Sequence, residues 1–189
     1  GPDGETPGPD SPMRRFLVFL LVLGLAAAGG FYALTAPTHV APEEVAGLQG
    51  DPAAGEAVFW AGGCASCHAV PEAEGEDRLI LTGGRPLASD FGTFIAPNIS
   101  PDPTHGIGGW TLAEFVTAMQ NGVAPGGAHY YPSFPYASYA RMPPGGIGHP
   151  LAYLQAPPAS GRAHPPPEIR LSLSRRPGFG LAEPGFGPR

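Results

Sequence analysis

The chemistry in this sequence concentrates at Cys64-Ala65-Ser66-Cys67-His68. Its two cysteines are the only ones in 189 residues, and they stand three positions apart. A disulfide between them would close a tiny ring and constrain little of the unfolded chain. Zinc would need further Cys or His ligands at suitable spacing, and no second cysteine pair supplies them. A thioredoxin-like redox dithiol would need βαβ surroundings, which the flanking residues lack. The adjoining histidine fits another chemistry, because C-x-x-C-H is the attachment pattern of a c-type haem. Two thiols so spaced on a helix edge reach the two vinyl groups of the porphyrin and form thioethers. His68 then offers its imidazole to the iron from one side.

The ligand on the opposite side decides what such a haem does. A methionine thioether there raises the potential and suits electron transfer, whereas an open position suits ligand binding or oxidative chemistry. The chain has three methionines: Met13, Met119 and Met142. Met13 lies in the leader, and Met119 lies on the apolar side of a helix, where methionine usually fills core space. Met142 lies in the loop Tyr139-Ala140-Arg141-Met142-Pro143-Pro144, far enough beyond His68 to cross the far side of a haem. The two prolines stiffen that loop, and Met142 is the expected sixth ligand. His39, His105, His129, His149 and His164 are the rivals. His129, beside Tyr130 and Tyr131, is the one of them to watch. Tyr130, Tyr131, Phe134, Tyr136 and Tyr139 form an aromatic run able to pack on a haem or simply on one another.

Few elements are needed to position these groups. Asp51-Pro52 reads as an N-cap followed by proline in the first turn. It predicts a helix over about 52–62 that ends at Gly62-Gly63, just before the cysteines. Thr111 and Glu114 make a capping-box pattern. It opens a helix over 111–121 whose Leu112, Phe115, Val116 and Met119 follow the i, i+3, i+4, i+7 spacing. Residues 83–109 read mostly as loop. A short last helix is expected near 150–155, trimmed to 151–155 by the run Pro143-Pro144-Gly145-Gly146-Ile147-Gly148-His149-Pro150. Glycine costs a helix about 1 kcal/mol and interior proline about 3 kcal/mol.

From Phe16 to Ala36 the chain carries no charge, and Arg14-Arg15 precede it. Roughly 20 such residues span a bilayer, and the basic flank keeps the N-terminus inside. An uncleaved anchor and a cleaved signal peptide both fit this segment, and both export the remainder of the chain. The chain also holds 29 glycines and 26 prolines, yet 42% of it is apolar. That combination suits a small folded core, completed by a cofactor and flanked by Pro/Gly-rich segments. A net charge of −6 argues against a nucleic-acid partner, which wants a basic surface.

From about Ala53 to Ala156 the sequence resembles a family of bacterial cytochrome c domains. These are the electron-transfer subunits of periplasmic alcohol dehydrogenase-like enzymes, many of them dihaem and membrane-anchored. The resemblance rests on GEAVFWAGGCASCH (55–68), FGTFIAPNISPDPTHGIGGWTLAEF (91–115) and YYPSFPYASYARM (130–142). It implies an all-α, class I cytochrome c fold around one covalent haem c, with Cys64 and Cys67 as thioether sites, His68 as proximal ligand and Met142 as distal ligand. The expected organisation has residues 1–12 disordered or absent from the mature product and a signal-anchor helix over 13–36. A linker over 37–50 comes next, then the cytochrome domain over 51–157. A Pro/Gly-rich tail over 158–189 resembles the linker to a second haem domain. The expected function is that of a tethered electron carrier rather than a catalyst, in the inner membrane with its haem domain on the periplasmic side. It would take single electrons from a periplasmic dehydrogenase and pass them to a downstream cytochrome or oxidase. Two other readings stay open: a haem protein with an open sixth site, sensor or peroxidase-like, and a truncated remnant of a dihaem subunit.

Overall fold

The computed structural model describes residues 11–90, 92–131 and 133–163 and the backbone of 168–169, and it divides at Ala36–Pro37 into two units. The first unit carries one helix, α1 (Pro12–Thr35). Ser11 starts it, its Oγ accepting the Arg14 N–H at 3.3 Å, with Pro12 in the first turn as helix starts favour. The helix has 24 residues, none of them buried. At ~1.5 Å per residue it reaches about 36 Å, somewhat more than the ~30 Å of a bilayer's hydrocarbon core. It is long and apolar enough to cross a membrane. Most of the segment expected to be disordered, 1–10, lies outside the described residues.

The second unit is built on helices α2 (Pro52–Ala61), α3 (Cys64–His68), α4 (Leu112–Asn121) and α5 (Pro144–Leu154). Asp51 caps α2 through the Ala53 N–H at 2.9 Å. Around α4, Thr111 Oγ1 accepts the Glu114 N–H at 3.2 Å while the Glu114 carboxylate accepts the Thr111 N–H at 2.7 Å. Gly122, left-handed at φ 63°, closes that helix. Within α4, Ala113, Phe115, Val116, Thr117, Ala118 and Met119 are all buried. It is thus a core helix rather than one with a single buried stripe. Phe59, Leu81, Val116 and Ile147 are the large side chains most completely removed from solvent.

Helix α5 corrects the expectation of a helix trimmed to 151–155. It begins at Pro144 and carries Gly145, Gly146, Gly148 and Pro150 within it. Pro144 sits in the first turn, where its missing N–H costs nothing. The close crossing of α2 and α5 depends on a glycine of α2. A Cβ on Gly55 would overlap the His149 carbonyl oxygen and lie 2.9 Å from Tyr153 Cβ. Tyr153 packs toward α2, its ring 5.2 Å from that of Phe59. His149 Nδ1 accepts the Asp51 N–H at 2.9 Å, tying the start of α2 to α5. Tertiary packing outweighs local propensity here, as it does for most helices in proteins.

The all-α expectation also needs correction, because the mostly helical unit carries a small antiparallel sheet. Strands β1 (Pro86–Ser89) and β2 (Gly92–Ile95) pair as Leu87 with Phe94 and Ser89 with Gly92. Strand β3 (Glu168–Ile169) adds to the far edge of β2. Four-residue strands flanked by glycine and proline carry too little alternation to register in a sequence window.

Two segments expected to link or trail are docked on the fold. In the stretch 37–50, the Val40 N–H donates to Thr117 Oγ1 at 2.9 Å, Asn121 Nδ2 donates to the Thr38 carbonyl at 2.9 Å, and Val45 is buried. Beyond residue 157, Ser160 and Arg162 offer their carbonyls to the side chain of Asn98. Residues 164–167 and 170–189 of the expected tail lie outside the described residues.

Candidate functional site

Gly62 and Gly63 end α2 and let the chain turn at once into α3, a single helical turn carrying Cys64, Cys67 and His68. Both cysteines are free and half-buried. Burial, and to a lesser degree the neighbouring Cys67 thiol, push Cys64 up to about 11 against its own backbone hydrogen bond, so it is held as the neutral thiol. Behind α3 the His68 carbonyl accepts the Gly83 N–H at 2.7 Å, and the Val70 N–H donates to the Ile80 carbonyl at 2.9 Å.

His68 Nδ1 lies 2.8 Å from the Pro97 carbonyl oxygen. A carbonyl only accepts, so this bond assigns the proton to Nδ1 and leaves the Nε2 lone pair for a metal. Burial lowers the imidazole below its ordinary range, opposed by the Pro97 bond, and the ring is neutral. The approach of Pro97 depends on Gly83. At φ +67°, Gly83 adopts a conformation other residues resist, and a Cβ there would lie 2.5 Å from the Pro97 carbonyl carbon.

Met142 lies in the turn before α5, half-buried against the same core cluster that Cys64 and Tyr139 pack on. Its N–H donates to the Tyr139 carbonyl at 2.9 Å, and its own carbonyl accepts from Gln120 Nε2 at 2.7 Å. Tyr139 Oη donates to the Gly62 carbonyl at 3.3 Å, joining the methionine turn to the residues just before Cys64. The Tyr139 phenol is raised first by desolvation and then by the two cysteines. Met119, by contrast, is inside the core at 8% exposure.

The aromatic run gathers around Phe134. Tyr130 meets its ring edge-on at 5.4 Å, while Tyr136 and Tyr139 lie at 6.4 Å. Tyr131 packs on Phe94 at 5.2 Å. Among the rival histidines, His149 is engaged with Asp51 and His105 lies 3.5 Å from Asp102. His129 sits in a backbone bridge with Val123, and His164 lies outside the described residues. No group of three or more His, Cys, Asp or Glu able to hold a metal occurs among the described residues.

The donor set fits a covalent haem: two adjacent free thiols on one turn, a neutral imidazole with its tautomer fixed, and a thioether on the same core. Pro97, Gly83 and Gln120 were not legible as site residues, since each acts through backbone position or a bond to a backbone carbonyl. No family model matches the chain. It is 51% identical over 164 residues to a diheme cytochrome c-type protein of Cereibacter sphaeroides, covering 87% of this chain and 55% of that protein. The chain is homologous to bacterial c-type cytochromes. It is also 33% identical over 184 residues to a nicotinate dehydrogenase subunit of Pseudomonas putida, covering 94% of this chain and 15% of that subunit. Over 81 residues it is 40% identical to the cytochrome c subunit of a quinone alcohol dehydrogenase of Komagataeibacter europaeus, covering 43% of this chain and 16% of that subunit. The chain thus spans about half the length of the first of these relatives and less than a fifth of the other two.

Proposed function

We propose that this chain is a membrane-tethered, class I c-type cytochrome that carries single electrons from a periplasmic dehydrogenase to a downstream cytochrome or oxidase. The observation that carries this reading is the His68 Nδ1 bond to Pro97, which leaves Nε2 as a ligand beside the thiols of Cys64 and Cys67. In this reading Cys64 and Cys67 would hold a haem through thioethers, and His68 and Met142 would supply the ligands to its iron. A bound haem supplies the one-electron couple and little else.

The chain's own residues then account for a carrier rather than a catalyst. Gln120 and Tyr139 hold the Met142 turn by its backbone at both the carbonyl and the N–H. A thioether so anchored would serve as the second protein ligand to a bound haem and would leave no place there for a substrate. The apolar helix α1 supports a tether, with Arg14-Arg15 on its N-terminal side favouring export of the second unit. The relatives named as dehydrogenase subunits support a dehydrogenase as the electron donor.

Cyclic voltammetry of the haem-loaded chain, with and without carbon monoxide, tests the function. A reversible one-electron wave unaffected by the gas is expected of a carrier. A wave displaced at once by carbon monoxide would show an open sixth site and reject the proposal.

A further inference from the structure

The Pro97 carbonyl that fixes His68 is held from two sides, and one of them is the segment after α5. On the first side stands Gly83, whose missing side chain leaves room for that carbonyl. On the second, Asn98 is 6% exposed and Ser100 fully buried. Asn98 Oδ1 accepts the Ser100 N–H at 2.8 Å, the bond of an ordinary Asx turn. Its Nδ2 does something a local turn does not require. It donates to the Ser160 carbonyl at 2.6 Å and to the Arg162 carbonyl at 3.2 Å, across 62 and 64 positions of sequence. Ser100 Oγ accepts the Ser160 N–H at 3.0 Å, closing the same junction from the next residue but one.

We propose that residues 160–162 form a strap, and Asn98 a positioning residue, that together hold the Pro97 carbonyl on His68 Nδ1 and so set the donor strength of the axial imidazole. The inference rests on the haem reading given above. The loop 97–100 packs on Gly83 at Pro97 and is bonded to the strap at Asn98 and Ser100, and these two contacts limit movement of the carbonyl off the imidazole. An imidazole that donates Nδ1–H to a well-placed carbonyl is a more basic ligand. A more basic ligand favours the oxidised iron and lowers the potential. Releasing the strap lets the N–H···O bond lengthen, and the potential rises.

Redox titration of the full haem-loaded chain tests this with three neutral substitutions. Asn98→Ala removes both donors to the strap. Ser160→Pro removes the N–H that Ser100 accepts. Ser160→Ala keeps the backbone N–H and carbonyl, the only groups of Ser160 these bonds use. The expected effect of the first two is a rise in midpoint potential, with Asn98→Ala the larger. A tenfold change in the one-electron equilibrium would read as a shift of about 59 mV. Ser160→Ala should titrate with the wild type.

A purely structural strap would lower the melting temperature and leave the potential in place. Unchanged potentials in Asn98→Ala and Ser160→Pro, with haem retained, therefore overturn the proposal. Should Asn98→Ala fail to fold, Ser160→Pro alone decides. A wild-type chain matured with the haem-attachment machinery but carrying no covalent haem overturns the underlying reading as well. The pyridine haemochrome spectrum shows that failure separately.

Discussion

Replacing Gly55 by alanine asks one methyl group to enter the crossing of α2 and α5. The new Cβ would lie 2.6 Å from the His149 carbonyl carbon and 2.9 Å from Tyr153 Cβ, with the His149 oxygen closer still. Carbon atoms rest at about 3.5–4.0 Å, so α5 must retreat by roughly 1 Å or deform. The obstacle is backbone, which cannot turn aside as a long side chain can. Overpacking of this kind costs about 1–3 kcal/mol, and loosening the Phe59–Tyr153 ring contact adds about 0.5–1.5 kcal/mol. Alanine returns about 1 kcal/mol of helix propensity. The net expectation is a loss of about 2 kcal/mol, or roughly 8 °C in Tm at about 4 °C per kcal/mol for a domain of this size. Far-UV circular dichroism of the full haem-loaded chain in detergent would follow the transition. Gly126→Ala is the control, because nothing lies within 4 Å of its Cβ position. A Gly55→Ala chain melting with that control, or above it, would refute the close crossing.

Three further outcomes depend on individual side chains and the bonds they make. Gln120→Ala removes the donor to the Met142 carbonyl. It should cost about 1 kcal/mol of stability and speed carbon monoxide binding to the reduced protein; an unchanged binding rate would detach Gln120 from the methionine turn. Thr111→Ala breaks the capping box of α4 and should cost about 1 kcal/mol in urea unfolding, with no change in the haem spectrum. Asp102 concerns pH. Its carboxyl is held below the ordinary value of 3.8 chiefly by the His105 N–H, against a little desolvation, with the Thr104 N–H and the His105 ring adding to the effect. On acidification the unfolded chain therefore takes up the proton first, so this contribution is present above about 3.8 and fades as pH falls through the folded value. Asp102→Asn should lose less stability than wild type over that acid range, and equal slopes of urea midpoint against pH would contradict the sign.

Much of this was legible where chemistry and local signals coincide in a few residues. The expectation for Cys64, Cys67 and His68 rests on residue type and spacing alone. Asp51, Thr111 and Glu114 mark helix starts by hydrogen bonds made within three residues. What was not legible depends on distant partners. Gly145, Gly146 and Gly148 read as helix breakers, yet they lie inside α5, because the packing that outweighs their propensity comes from residues distant in sequence. Asn98 lay in a stretch that read mostly as loop, because its partners stand 62 and 64 positions away. The hairpin of β1 and β2 is too short for its alternation to stand out, and the segment 37–50 looked like a linker because its anchors, Thr117 and Asn121, belong to α4. Pro97 contributes only a carbonyl, a group every residue has.

The central claim, that His68 and Met142 are axial ligands of a haem held by Cys64 and Cys67, is tested most directly by optical spectra of the wild type and Met142→Ala. Both would be matured with the haem-attachment machinery and recorded oxidised and reduced. The account predicts a low-spin c-type spectrum with a sulfur-to-iron band in the wild type, and its loss with a shift toward high spin in Met142→Ala. A wild type that is already high-spin, or a Met142→Ala chain that keeps the band, would contradict it.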